Sequence, residues 1–193
     1  MADHSLPVHP ALKQFSTEAV AISRESGEFL SGFSDAQINW HPNPSVWSIA
    51  QCFDHLIVAD SLYIQKLQKI INEAPRTSAP FTQSLRTSLV GKLLIYFVNP
   101  NTTFKSKTFK VFYPEENFVN SDLQNRFNEH QEKLIELMKE ADGLDINRLK
   151  ISSPVSNLLK FRIGECFQFL LLHQRRHFLQ AKNLTTLTDF PKS

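Results

Sequence analysis

The sequence predicts an all-α protein, a four-helix bundle with a long crossover between helices 2 and 3 that carries an extra short helix. Three observations lead there. Apolar residues recur in steps of three and four along four long stretches, the period of one helix face. The connection between the second and third stretch is far longer than antiparallel neighbours need, which implies a crossover along the bundle. The composition is that of an ordinary globular chain: 193 residues, 41% hydrophobic and 21% charged, without repeats, low-complexity tracts or blocks of like charge. This length supports one sizeable core, so a single domain over residues 1–193 is expected.

The first helix is expected from Pro10 to Leu30, with Leu12, Phe15, Ala19, Ile22 and Phe29 inward and Gly32 close after its end. The segment SDAQINWHPNPSVWS follows, turn-rich with two prolines and two tryptophans. Ser48 and Gln51 fit a capping box, which opens a second helix over Ile49–Asn72. Its inward face is read as Cys52, His55 or Leu56, Ala59, Leu62 or Tyr63, Lys66 and Ile70. Pro75 to Pro80 breaks the chain, and Gln83 to Val98 suits a shorter apolar helix containing Gly91. NPNTTFKSKTFKVFYPEEN has a mixed period and is expected to be extended, as a strand or an ordered loop. The third long helix, Ser121 to Ala141, turns Leu123, Phe127, His130, Leu134 and Leu137 inward and ends at Gly143. A loop ending near Pro154 leads to the fourth, Phe161 to Leu184.

Charge and targeting signals narrow the function classes. A net charge of +2 does not by itself imply nucleic acid. No apolar run approaches the ~20 residues that cross a bilayer. Neither nucleic acid nor membrane is therefore an expected partner. Cys52 and Cys166 are the only cysteines, and one pair gives no disulfide framework. The start MADHSLPVHP lacks the pattern of a signal peptide, and a reducing, cytoplasmic setting is expected.

The chemistry-bearing feature is on the fourth helix. Ile163, Cys166, Leu170, His173, His177, Gln180 and Leu184 fall on one stripe, so two imidazoles occupy positions suited to core residues. Residues four apart stack on one face, and both rings could reach one metal ion. A buried imidazole needs a hydrogen-bond partner or a metal to offset its lost hydration. Spacing alone leaves the third ligand open. His55 borders the inner stripe of the second helix, one turn or so in from its start. His4 and His9 lie in a frayed N-terminus without an expected role, and His41 reads as a loop residue.

The run SDAQINWHPNPSVWSIAQCFDHL, together with the late HQRRHFLQ, resembles the DinB/YfiT-like family of metal-binding four-helix bundles. The shared features are a tryptophan-serine lead-in to helix two, a histidine about seven residues on, and a histidine pair four apart on helix four. Trp47-Ser48, His55, His173 and His177 match them, and length, crossover and helix order extend the resemblance to nearly the whole chain.

That resemblance implies that His55, His173 and His177 bind one divalent metal, zinc or nickel first, with iron or manganese as further options. Three neutral imidazoles suit zinc, nickel or iron and leave positions open for water or substrate. It also implies a small-molecule substrate and chemistry through a low-molecular-weight thiol, in a thiol-transferase-like enzyme or a metal-dependent hydrolase. The alternative is a non-catalytic metal- or ligand-binding bundle in stress response. Members of the family are often dimers, so a homodimer is compatible with it.

No HExxH motif is present, because Gln174 follows His173, and no Ser-His-Asp arrangement can be read from spacing. The candidate catalytic groups are His130, mid-stripe on helix three, and Glu165, eight residues before His173. His130 reads equally as a core-edge histidine bonded to a neighbour. Glu25 is a further candidate base, or else a member of a solvated pair. Cys52 and Cys166 read as small buried hydrophobes, or alternatively as soft ligands or redox thiols. Arg175 and Arg176 could draw an anionic substrate, or simply be solvated. Phe53, Phe169 and Phe178 could wall an apolar pocket, although most phenylalanines must be core.

Overall fold

The computed structural model of the chain describes residues 7–76, 84–102 and 107–192. Its elements are helices α1 (Pro10–Leu30), α2 (Asp35–Asn39), α3 (Ile49–Glu73), α4 (Leu89–Val98) and α5 (Asn120–Glu140), strands β1 (Lys150–Ser153) and β2 (Ser156–Arg162), and helix α6 (Ile163–Leu184). The protein is mostly helical. The four long helices enclose one core, with α1 and α3 each packing on both α5 and α6. A 3-10 turn at Lys110–Phe112 and α4 both lie in the long connection between α3 and α5.

Local chemistry sets the helix starts. Pro10 opens α1, where a missing N–H costs nothing, and His9 caps it by accepting from Ala11 N through Nδ1 at 3.2 Å. His9 also donates its backbone N–H to Asp142, so this histidine is a buried cap and not part of a frayed end. Ser48 accepts from Gln51 N at 3.1 Å, and the Gln51 side chain accepts from Ser48 N at 3.0 Å. The expected capping box is formed. A second box, Ser34 with Gln37, organises α2 within the stretch expected to be a linker.

The cores of α1 and α5 follow the expected stripes. Leu12, Phe15, Ala19 and Ile22 are buried, as are Leu123, Phe127, His130, Leu134 and Leu137. On α3 the stripe is turned: Leu67 and Ile71 are buried where Lys66 and Ile70 were expected. Lys66 instead donates from Nζ to Ser152 Oγ on β1 at 2.9 Å. On α6, after the buried residues Ile163–Glu165 at its start, the inward residues are Cys166, Phe167, Leu170, Leu171, Gln174, Phe178, Ala181 and Leu184. His173 and His177 therefore lie on the border of the core, beside the crossover.

The loop expected before the last helix is an antiparallel hairpin. Lys150 pairs with Arg162, Ile151 with Phe161 and Ser152 with Lys160, with an irregularity between Ser152 and Ser153. Ile151 and Phe161 are buried, which fixes the register by putting one face on the core. The last helix consequently begins at Ile163, two residues later than its apolar pattern suggested. The short helix expected over Gln83–Val98 begins only at Leu89, where Ser88 caps it, and residues 84–88 are not helical. Most of the break expected at Pro75–Pro80, Gln83 itself and part of the segment expected to be extended fall outside the described residues, as does His4.

Two contacts hold the crossover where it meets the bundle. Buried Asp54 accepts from Arg126 Nη2 at 2.7 Å and from Glu115 N at 2.9 Å. At α4, a Cβ on Gly91 would lie 2.4 Å from the Glu165 carboxyl carbon, so only glycine permits this approach.

Candidate metal centre

Two helices supply the three imidazoles. His55 comes from the second turn of α3, and His173 and His177 from adjacent turns of α6, which packs against α3. One ring nitrogen from each histidine lies within 4.8 Å of the other two. His55 Nε2 and His173 Nε2 are 3.2 Å apart. Two nitrogens held about 2.0–2.1 Å from a tetrahedral zinc would be about 3.3–3.4 Å apart, so the spacing fits one ion between them.

Hydrogen bonds on the far side of each ring decide which nitrogen faces inward. His55 Nδ1 lies 2.7 Å from the carbonyl of Phe112. A carbonyl can only accept, so this Nδ1 carries the proton and Nε2 presents a lone pair. His173 Nδ1 lies 3.3 Å from Asp60 Oδ1, and His177 Nδ1 lies 3.0 Å from Gln180 Oε1. Asp60 is fully buried, which raises its pKa, but the imidazoles of His130 and His173 beside it outweigh burial and hold the carboxyl well below its ordinary range. An ionised Asp60 likewise leaves the proton on His173 Nδ1. Two lone pairs 3.2 Å apart repel unless a proton or a cation lies between them.

Burial acts against the proton. It lowers the pKa of His55 to about 4, with the His173 charge adding to the effect. His177 is lowered well below its ordinary value by burial and by its two imidazole neighbours. Both are neutral at pH 7, the form that binds metal. Aromatic rings close the walls: Trp47 lies over His55 and His177, centroids 4.7 and 5.9 Å away, and Phe169 stacks on His173 at 5.8 Å and 13°. Of the three phenylalanines expected as pocket wall, Phe169 has that place. Phe53 and Phe178 pack edge-on against each other in the core.

Asp60 is the residue that sequence reading missed. Besides holding His173, it accepts from Gln174 Nε2 at 3.0 Å, and Gln131 in turn donates to Gln174 Oε1 at 2.9 Å. The signal was available: Asp60 is the lone charge between Leu56 and Gln65 on a helix whose stripe is buried. Metal-bound histidines commonly donate their other N–H to a carboxylate, which orients the ring and raises its basicity.

The other candidates fall in different places. His130 Nε2 is 3.5 Å from Asp60 Oδ2, without a satisfactory hydrogen bond, so His130 approaches the triad only through Asp60. Glu165 does not serve the triad. Its carboxylate accepts from Arg162 N at 2.7 Å, Ser88 Oγ at 3.1 Å and Ser88 N, tying the start of α6 to the start of α4. Two helical turns also separate it from His173, a rise of roughly 12 Å. Glu25 is engaged by Arg175, which lowers its pKa and removes it as a base.

Arg175 bonds Glu18 and Glu25, both at 2.6 Å, and so clamps α6 to α1. Arg176 Nη1 donates to the carbonyls of Asn99 and Thr102 after α4. His41 bonds the Asn43 carbonyl within its own loop. Both cysteines are fully buried, and burial raises their pKa values, so they behave as small hydrophobes.

Fold and site together define a helical protein with a three-histidine group that could hold a divalent metal. The family model of the DinB superfamily matches residues 22–181, and the chain belongs to that superfamily. No curated protein and no solved structure matches it.

Proposed function

We propose that His55, His173 and His177 bind one divalent cation, zinc or nickel in the first place and iron or manganese as further options. We propose further that the protein is a metal-dependent enzyme acting on a small molecule through a low-molecular-weight thiol, or as a hydrolase. The observation that carries the reading is the set of Nδ1 bonds, to Phe112 O, Asp60 and Gln180, which leave the opposite nitrogens of all three rings for a ligand. A bound cation of this kind favours the thiolate form of a thiol and lowers the pKa of a bound water to about 7. The chain's own contribution is orientation and exclusion of water: Asp60 and Gln180 aim the rings, while Trp47 and Phe169 supply apolar walls.

The second reading is a metal- or ligand-binding bundle without turnover. It is favoured by the occupation of every candidate base, Glu165 at the α4 cap, Glu25 by Arg175 and His130 behind Asp60. Thiol transfer needs no strong base at the site, whereas hydrolysis benefits from one, so this arrangement supports transfer over hydrolysis.

Protein purified without a histidine tag is expected to carry close to one ion per chain, and His177→Ala to lose most of its metal affinity. No metal after reconstitution would remove the site. Glutathione, bacillithiol and mycothiol screened with common electrophiles should then reveal turnover that stops on chelation. A metal-loaded protein inactive with all of them would remove the thiol-transfer reading and favour the binding protein.

A further inference from the structure

Helix α4 turns its apolar side the wrong way for a purely internal element. Gly91 and Val98 are buried, and Val90 and Leu94 pack on the core. Yet Leu89, Leu93 and Tyr96, at spacing i, i+4 and i+7, are 84%, 53% and 58% exposed. Strand β2 packs beside α4 and adds Leu158, which is 95% exposed. Arg162 Nη1 donates to the Arg86 carbonyl at 2.8 Å, joining the hairpin to the lead-in of α4.

Charge along the two sequence segments that carry this stripe is one-sided. From Ala74 to Pro114 the sequence has six Lys and Arg and no Asp or Glu, and from Ile146 to Gly164 it has four and none. The rest of the chain holds eleven cations against all 19 acids, so the net charge of +2 conceals a strong separation along the sequence. Arg86, Lys92, Lys150 and Lys160 are exposed near the stripe. Lys150 shares the outer hairpin face with Arg162, and Lys160 shares it with Leu158. The acid beneath α4, Glu165, is fully buried and bonded.

We propose that the face formed by α4 and the β1–β2 hairpin docks on an anionic phospholipid bilayer, with Leu89, Leu93, Tyr96 and Leu158 at the headgroup–acyl boundary. Exposed cations interleaved with aliphatic and tyrosyl side chains are what an interfacial element presents to such a surface. A second copy of the chain is a poor occupant, because a two-fold contact through this face would bring cations against cations. Nucleic acid would answer the cations but gives three protruding leucines nothing to contact, whereas a fluid interface accepts them without a shaped cavity. The expectation that no membrane is involved rested on spanning length, and no described helix is long and apolar enough to cross one. Peripheral docking needs no such length.

Flotation of the full chain with vesicles tests this, using phosphatidylcholine alone and phosphatidylcholine with an equal part of phosphatidylglycerol. Binding to the anionic vesicles is expected to exceed binding to the neutral ones at least tenfold and to be lost near 0.5 M salt, where charges are screened beyond about 4–5 Å. Each cation near an anionic surface contributes about fivefold, so K92E/K160E should lose at least twentyfold. L89S/L93S, and separately L158S, should each weaken binding several-fold with unchanged helix content. Failure to float with anionic vesicles overturns the proposal. So does retention of wild-type binding by both serine variants, or full displacement from vesicles by a short DNA duplex, which would mark the face as a nucleic-acid surface.

Discussion

Replacing Asp60 with asparagine should cost the protein metal affinity while leaving its fold in place. The carboxylate lies 3.3 Å from His173 Nδ1 and 3.0 Å from Gln174 Nε2, with His130 Nε2 at 3.5 Å. Asparagine preserves the shape and one acceptor oxygen but removes the charge. The bond to His173 then weakens from charge-assisted to neutral, and the imidazole nitrogen facing the site becomes less basic. Removing such a partner commonly costs 10–100-fold in metal affinity, or about 1.4–2.7 kcal/mol. Competition with a chromophoric chelator at pH 7.5 measures the change directly. Thermal unfolding of the metal-free variant is the control, since the same substitution alters a buried network with Gln174 and Gln131. A D60N protein that folds normally and binds metal within twofold of wild type would refute the orienting role. A loss confined to stability would assign Asp60 to the core alone.

Stability of the metal-free protein should fall with acid before any carboxylate titrates. Burial lowers the pKa of His55 in the folded protein to about 4 from its ordinary 6.5, so below about pH 6.5 the unfolded chain takes up a proton that the folded chain refuses. The contribution vanishes above that range and reaches a loss of about 3 kcal/mol by pH 4, with His177 shifted in the same direction. Urea midpoints between pH 7.5 and 4.5 check this, and a flat profile would contradict it; His55→Gln should flatten part of the slope. Gly91→Ala would gain about 1 kcal/mol of helix propensity in isolation. In the folded protein its Cβ meets the Glu165 carboxyl group at 2.4 Å, and that group is held by Ser88 and Arg162, so a net loss of about 1–3 kcal/mol is expected in urea unfolding.

Much of the architecture was legible because helix signals are local. The Ser48–Gln51 capping box, Pro10 at the start of α1 and the 3.6-residue stripes of α1 and α5 involve residues within one or two turns of each other. The hairpin was not legible. KISSPVSNLLKFR is short, interrupted by Pro154, and carries only Ile151 and Phe161 as paired inward residues. Its existence depends on the core that those two side chains meet.

The site divides along the same line. The sequence by itself determined the histidines, since a pair four apart on one helix and a third near a capped helix start are matters of spacing and family pattern. Only the tertiary structure decided how those rings are presented. The turn of α6 places His173 and His177 at the edge of the core, and Phe112 and Asp60, distant in sequence from the rings they hold, take up the outer nitrogens of His55 and His173 respectively. The same packing withdrew Glu165 from the site by giving its carboxylate to the α4 cap. A hydrogen-bond partner is chosen by whatever lies within 3 Å after folding, and residues separated by many turns of chain carry no periodic trace of that choice.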